Sequence, residues 1–299
     1  TNGLAIVTGV DDVAELIAAF PAAAGRAPAH TYMTGASEGG IVTALMAERH
    51  PELLTGALSA CGPIGDFRKQ TDYLGDFRVL FDYFFPNVLP PSPINIPPQV
   101  IANWQSTYVP AIAQQVRANP RQALQLISTS RAATQMLSMS SMISTTVNVL
   151  WYNVFATNDA SAKLGGNPFG NRMRLYNGSL NDLALNQHVQ RFRADPAALA
   201  ALTPYQTTGV LTIPMVTLHT TGDEVIPFWH QLLYRGKVQT SGRGQLLQIP
   251  IFRYGHCNFT TNEALAGFAI MIFISTGQQV RGLPDHFDPA QFERDFQKA

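Results

Sequence analysis

The stretch TYMTGASEGG, residues 31–40, constrains this sequence most, because it contains the pattern Gly-x-Ser-x-Gly centred on Ser37. In a nucleophile elbow this pattern forms a sharp turn between a strand and a helix, which exposes the serine hydroxyl at the end of a sheet. The flanks fit that context, since residues 29–34 favour a short strand and residues 41–49 are compatible with a helix. Ser37 is therefore a candidate nucleophile, and a glycine-rich turn without chemistry is the alternative.

Strand and helix patterns alternate around this motif. Residues 9–20 predict an amphipathic helix that ends at Pro21, and residues 53–61 predict a buried strand. The strand pattern returns at residues 212–219 and 246–252, each time followed by a helix pattern. This alternation predicts an α/β fold, with a mostly parallel sheet flanked by helices.

Residues 66–206 have a different character, because they combine helix patterns with proline-rich connectors. We predict a core formed by residues 1–65 and 207–299 and an all-helical domain formed by residues 66–206, inserted after the second visible strand. Six apolar side chains of the insertion are candidates for lining a substrate pocket: Met136, Met139, Met142, Trp151, Tyr152 and Phe155. An ordinary helical core is the alternative for these six residues.

Charge and cysteine content exclude several classes of function. The 20 basic residues balance the 20 acidic ones, and charged residues make up 13% of the chain. A neutral chain has no electrostatic reason to bind nucleic acid or an anionic membrane, so we expect neither as a partner. Cys61 and Cys257 are too few for a disulfide scaffold and badly spaced for a zinc site. We expect no metal and no cofactor, and the two cysteines form either one disulfide or two free thiols.

A serine hydroxyl becomes a useful nucleophile when a base accepts its proton, and that base needs an acid to orient it. His256 directly follows a predicted strand near the C-terminus and is the candidate base, with His219 as the rival. Asp223 follows the preceding predicted strand and is the candidate acid, with Glu224 as the alternative. The chain order serine, aspartate, histidine differs from the orders of the chymotrypsin and subtilisin folds.

The motifs Gly-Ala-Ser-Glu-Gly-Gly, Gly-Asp-Glu-Val-Ile-Pro and Tyr-Gly-His resemble those of α/β-hydrolases of the carboxylesterase and prolyl-oligopeptidase-like type. The resemblance covers residues 1–65 and 207–280. It implies an α/β-hydrolase fold in which the helical insertion is a lid. It also implies a catalytic triad of Ser37, Asp223 and His256.

The same family has four further strands and a helix ahead of the first helix of this sequence. The resemblance therefore implies that about 80 to 130 residues on the N-terminal side lie outside it. The oxyanion hole would use the backbone N–H of Glu38 and a second N–H from that outside part. An N-terminal fragment or a companion chain is thus an expected partner.

The dipeptide His256-Cys257 also resembles the tannase and feruloyl-esterase family, in which a disulfide ties the nucleophile loop to the base loop. Ala36 occupies the position of that family's other cysteine, so the resemblance implies Cys61 as a relocated partner, with two buried thiols as the alternative. A Cys61–Cys257 disulfide implies a secreted or periplasmic protein, whereas free thiols are typical of the cytoplasm.

Together these features predict a serine esterase that acts on a small-molecule or oligomeric ester. A peptidase of the prolyl-oligopeptidase type is the near alternative, and we favour the esterase because an ester needs no protonated amine leaving group. A catalytically inactive hydrolase fold used for binding is the alternative of a different class.

Overall fold

The computed structural model describes residues 3–280. They divide into two compact units. The sheet unit contains Ala5–Asp66 and the described residues from Tyr205 onwards, and the helical unit contains residues 3–4 and Phe67–Pro204. Within the described residues, no helix is both long enough and apolar enough to cross a bilayer. That the two units serve as catalytic core and lid stays a prediction.

The elements follow one another along the chain as a short α/β segment, a helical segment and a second α/β segment. The first contains α1 (Ile6–Ala24), β1 (Tyr32–Ala36), α2 (Glu38–Arg49) and β2 (Gly56–Ala60). The second contains α3 (Phe67–Phe84), α4 (Pro98–Ala102), α5 (Val109–Ala118), α6 (Pro120–Ser130), α7 (Met139–Leu164), α8 (Asp182–His188) and α9 (Pro196–Ala201). The third contains β3 (Met215–Gly222), α10 (Trp229–Ser241), β4 (Leu246–Tyr254) and α11 (Thr261–Thr276).

The four strands of the sheet unit form one parallel sheet in the order β1-β2-β3-β4. One face packs on α11, because Leu58, Val216 and Ile249 share a buried apolar cluster with Met271 of that helix. On the other face, Ser59 of β2 donates a hydrogen bond to a carbonyl of α2 at 2.9 Å. The predicted α/β fold with a parallel sheet flanked by helices is confirmed.

All four strands run in the same direction, so their carboxyl ends meet at one edge of the sheet. Ser37 directly follows β1, Cys61 follows β2 and Asp223 follows β3, while His256 lies one residue beyond Gly255 after β4. The order and direction of the strands alone therefore place these candidate site residues at one edge of the sheet.

The helical unit has its own core, to which α3, α5, α6 and α7 contribute fully buried apolar side chains: Phe77, Leu80, Phe81, Ile112, Val116, Leu126, Val149 and Leu150. Arg78 is also buried, with 1% of its surface exposed. Its guanidinium pairs with Asp82 at 2.9 Å and donates to Asn153 at 3.1 Å. Burying a charge costs free energy unless the charge is paired, so these bonds offset the cost of burying the Arg78 guanidinium.

Several predicted element boundaries were wrong. Helix α1 continues past Pro21 for one more turn and ends at Gly25, which has the left-handed φ of 70°. We also expected residues 132–155 to form one helix, but α7 begins only at Met139, where the Ser138 hydroxyl accepts from the N–H of Ser141 at 3.3 Å. The strand predicted from residue 212 begins only at Met215.

Candidate active site

Ser37 occupies the sharp turn between β1 and α2. Its backbone has φ 57° and ψ −121°, a conformation that costs a non-glycine residue free energy and is found where function requires it. Its N–H donates to the carbonyl of Ala60 at 2.9 Å, which holds the turn against the end of β2. The strand, the strained serine and the helix together are the backbone geometry of a nucleophile elbow.

The glycines around Ser37 explain how the chain makes this turn. A Cβ on Gly35 would lie 2.2 Å from the carbonyl oxygen of Gly39, and a Cβ on Gly40 would lie 2.7 Å from that of Ala60. Neither position can accept a larger residue without moving the backbone. The middle glycine, Gly39, has open space at its Cβ position, so the close approach depends on Gly35 and Gly40.

His256 bridges Ser37 and Asp223. Its Nδ1 lies 2.8 Å from Asp223 Oδ2, and its Nε2 lies 2.8 Å from Ser37 Oγ. A carboxylate only accepts hydrogen bonds, so Nδ1 carries the proton and donates to Asp223. Nε2 is then the acceptor for the Ser37 hydroxyl. The histidine side chain is 15% exposed and that of Asp223 is fully buried, so the bond between them is shielded from water.

Asp223 is held in place by the turn that it begins. Its Oδ1 accepts from the N–H groups of Val225 at 3.0 Å and Ile226 at 2.8 Å, which leaves Oδ2 for His256. Glu224, the alternative acid, is also buried at 2% exposure. Asp223 Oδ2 contacts the His256 imidazole at 2.8 Å, and the role of Asp223 as the orienting acid stays a prediction.

The remaining described histidines range from exposed to fully buried, with His50 half-buried. His30 and His188 are exposed, whereas His230 is buried and accepts from the N–H of Gly65 at 3.0 Å. His219, the rival base, is buried at 1% exposure, and its Nε2 lies 3.5 Å from the same Asp223 Oδ2. Burial lowers the pKa of His219 more than the attraction of Asp223 raises it. His286 lies outside the described residues.

Cys61 and Cys257 form a disulfide, with their Cα atoms 5.4 Å apart. Of the two alternatives left open by the sequence, the disulfide is therefore correct. It links the end of β2 to the turn that carries His256, and Cys257 Sγ lies 3.6 Å from His256 Nε2. The three side chains are close enough to suggest metal ligands, but a disulfide has no thiolate with which to bind zinc.

Glu38 is the first residue of α2, directly after Ser37. The N–H groups in the first turn of a helix have no acceptor within the helix, and they carry the positive end of the helix dipole. They can therefore stabilise an oxyanion. The Glu38 carboxylate accepts from the N–H of Ala5 at 2.7 Å, which ties the start of α1 to the start of α2. That a polypeptide outside this sequence supplies a second donor stays a prediction.

The six residues predicted to line a pocket lie in and just before α7. Met136 precedes the helix and is 96% exposed, whereas Met142 is 4% exposed within the helical unit. Trp151 stacks on Phe155 with ring centroids 4.8 Å apart and meets Tyr152 edge-on. Met139 begins the helix and is half-buried. The structure places five of the six on one helix with differing exposure, and their role in a pocket stays a prediction.

No protein-family model matches the chain, and no curated protein matches it. Solved structures do. Feruloyl esterase B from Aspergillus oryzae matches with a TM-score of 0.44 and 15% identity, over 93% of this chain and 65% of that one. Pyrococcus horikoshii acylaminoacyl peptidase matches with a TM-score of 0.41 and 12% identity, over 96% of this chain.

Esterase E22 matches with a TM-score of 0.39 and 14% identity, over 89% of this chain and 66% of that one. The chain spans only 31% of the length of the Pyrococcus horikoshii peptidase. At these TM-scores the likenesses carry no argument about chemistry. The function proposed below therefore depends on the geometry of this chain alone.

The residues that support Asp223 could not be identified directly from the sequence. Val225 and Ile226 act through their backbone N–H groups, whose direction depends on the turn rather than on residue type. The signal present in the sequence was an aspartate at the start of a short segment closed by Pro227, since aspartate often accepts from N–H groups two or three residues ahead.

Proposed function

We propose that this chain is a serine hydrolase of the α/β-hydrolase fold that cleaves carboxylic esters. The observation that carries the proposal is the bridging position of His256, which lies 2.8 Å from both Ser37 Oγ and Asp223 Oδ2. Further support comes from the strained φ of 57° at Ser37 and from the chain order serine, aspartate, histidine.

In the proposed reaction, Ser37 Oγ attacks the ester carbonyl carbon while its proton passes to His256 Nε2. Asp223 stabilises the imidazolium that forms and keeps its ring oriented. The tetrahedral intermediate collapses when His256 returns the proton to the leaving alcohol, which breaks the ester bond and leaves an acyl group on Ser37. Water then attacks the acyl-enzyme with His256 as base, which releases the acid and restores the serine.

The negative oxygen of each tetrahedral intermediate needs hydrogen-bond donors. We assign one of them to the backbone N–H of Glu38, because it belongs to the residue after the nucleophile and lies at the N-terminus of α2. The helix dipole adds to this stabilisation, since its positive end faces the same region.

We also propose that the helical unit acts as a lid over the substrate and that the protein is exported. The second proposal is supported by the Cys61–Cys257 disulfide, because disulfides persist in oxidising compartments and are rare in the cytosol.

A fluorophosphonate probe tests the proposed nucleophile directly. We expect one label per chain on Ser37, lost in Ser37→Ala and retained in the control variant Ser140→Ala, whose serine is exposed at the start of α7. Absence of labelling in the unaltered protein would contradict the proposal and favour a binding role.

Two substrates then separate esterase from peptidase. We expect the chain to hydrolyse a p-nitrophenyl ester faster than a proline anilide, with both activities abolished in Ser37→Ala. Faster cleavage of the anilide would replace the esterase assignment by the peptidase alternative while leaving the triad intact.

A further inference from the structure

A set of polar side chains lies inside the sheet unit, on the α10 side of the sheet. Thr217 and His219 come from β3, Gln231 from α10 and Gln248 from β4. The first three are 0%, 1% and 2% exposed. Apolar side chains are usual at such positions, because burying an amide or an imidazole costs free energy unless each polar atom has a partner.

The direction of the hydrogen bonds in this set is fixed by the chemistry of the groups. Gln248 Nε2 donates to the backbone carbonyl of Gln231 at 2.8 Å, and a carbonyl can only accept. The same nitrogen and the Thr217 hydroxyl reach Gln231 Oε1 at 2.9 and 2.6 Å. Gln231 therefore presents its Nε2 to His219 Nδ1, 3.0 Å away, and donates to it.

His219 is consequently held in one tautomer. Its Nδ1 accepts from Gln231, so its proton is on Nε2, which donates to the carbonyl of Ile226 at 2.8 Å. Asp223 Oδ2 lies 3.5 Å from the same nitrogen. Burial lowers the pKa of this imidazole, so it stays neutral and does not compete with His256 as the cationic partner of the carboxylate.

Ile226 connects this set to the acid of the candidate site. Its N–H donates to Asp223 Oδ1 at 2.8 Å, while its carbonyl accepts from His219. Displacing the carbonyl of Ile226 would therefore tilt the carboxylate whose other oxygen contacts His256.

We propose that His219, oriented by Gln231, is a positioning residue that fixes the turn from Asp223 to Ile226 so that Asp223 Oδ2 faces His256. The inference rests on the proposed serine hydrolase function for its kinetic consequence. The bonding itself does not depend on turnover.

Two substitutions at one position test this role. A glutamine side chain carries its amide nitrogen about where Nε2 of histidine lies, so His219→Gln keeps a donor for the carbonyl of Ile226. The amide nitrogen of asparagine lies about where Nδ1 lies, so His219→Asn loses that donor. We expect kcat per fluorophosphonate-titrated site to fall about 10- to 100-fold in His219→Asn, with KM changed less than about twofold, and to fall less than about threefold in His219→Gln.

A proton NMR measurement reads the same positioning without turnover. The N–H between His256 and Asp223 should give a resonance far downfield in the unaltered protein and in His219→Gln, and this resonance should move upfield or vanish in His219→Asn. Gln231→Met serves as a second variant if His219→Asn does not fold, because it removes the donor to Nδ1 and should affect kcat and the resonance in the same direction.

Unchanged kcat per titrated site and an unchanged downfield resonance in the folded variants, with only a lower Tm, would overturn the proposal and leave His219 with a structural role. If the unaltered protein is not labelled by the probe, the proposed function fails. The resonance then still tests the positioning role. A shift or loss of the resonance in His219→Asn supports the inference, and an unchanged resonance refutes it.

Discussion

The Cys61–Cys257 disulfide should contribute a large share of the stability of the sheet unit. It joins residues separated by 196 positions. In the loop-closure model, a link across that distance removes enough entropy from the unfolded chain to raise the free energy of unfolding by about 5 kcal/mol at 25 °C. Measured effects of removing native disulfides are typically about 2 to 5 kcal/mol, so we expect a loss in that range for Cys61→Ala/Cys257→Ala. Alanine is suited to the fully buried position 61, because it adds no polar atom.

Tryptophan fluorescence can report this loss for the sheet unit alone. The chain has three tryptophans, of which Trp104 and Trp151 are in the helical unit. Trp229 is in the sheet unit and stacks on His230 with ring centroids 3.9 Å apart. In a background with Trp104→Phe and Trp151→Phe, urea denaturation with and without the two cysteines gives the difference in free energy directly.

A reductant supplies the control for this experiment. It should lower the free energy of unfolding of the protein with both cysteines to the value of the alanine variant, and it should leave that variant unchanged. A loss below about 1 kcal/mol would refute the loop-closure reasoning. Alkylation of two thiols in the native, unreduced protein would refute the disulfide itself.

Three further changes have expected outcomes. Asp223→Asn should lower kcat of the proposed esterase by roughly 10³- to 10⁴-fold in steady-state assays, because an amide no longer holds the imidazole in the required tautomer. Burial raises the pKa of Asp76 to about 6 despite its ion pair with Arg174, so the native state binds its proton more tightly than the unfolded chain. The free energy of unfolding should therefore fall by up to about 3 kcal/mol as pH rises from about 4 to 6, and urea denaturation should show a smaller fall in Asp76→Asn. Glu48→Ala should cost about 2 to 4 kcal/mol in the same assay, because its carboxylate accepts from the Tyr234 hydroxyl at 3.0 Å and from three other donors; a loss below about 0.5 kcal/mol would contradict that estimate.

The features predicted well from the sequence are those set by short-range patterns. The elbow around Ser37 depends on glycines within a few residues, and parallel strands bring Asp223 and His256 to the same sheet edge whatever their exact lengths. Strand ends depend on pairing partners far along the chain, so the predictions for β1 and β3 were displaced by about three residues. Pro21 was taken as a helix end because proline lacks an N–H, yet its helix continued to a left-handed glycine one turn later.

Other features of the site required three-dimensional information. His219 was considered as a base because it ends a strand pattern, but its burial and its amide partner are set by α10 and β4. The pairing of Cys61 with Cys257 was suggested only by resemblance, since the two positions are brought together by the order of strands in the sheet. Long-range contacts of this kind leave no periodic trace in a single sequence.

In the sheet unit, the residues where the chain leaves for the helical unit are hydrogen-bonded to the residues where it returns. The Thr207 hydroxyl donates to the carbonyl of Ile64 at 2.6 Å, and Gln206 Nε2 reaches Asp66 Oδ1 at 3.3 Å. The exit and the re-entry are therefore neighbours. The parallel pairing of β2 with β3 does not depend on the residues that connect the two strands. An inserted segment of another length or fold could be exchanged here without altering the strand ends that carry the site. Ser37, Asp223 and His256 all belong to the sheet unit, so exchange of that segment would leave the strands that precede them in place.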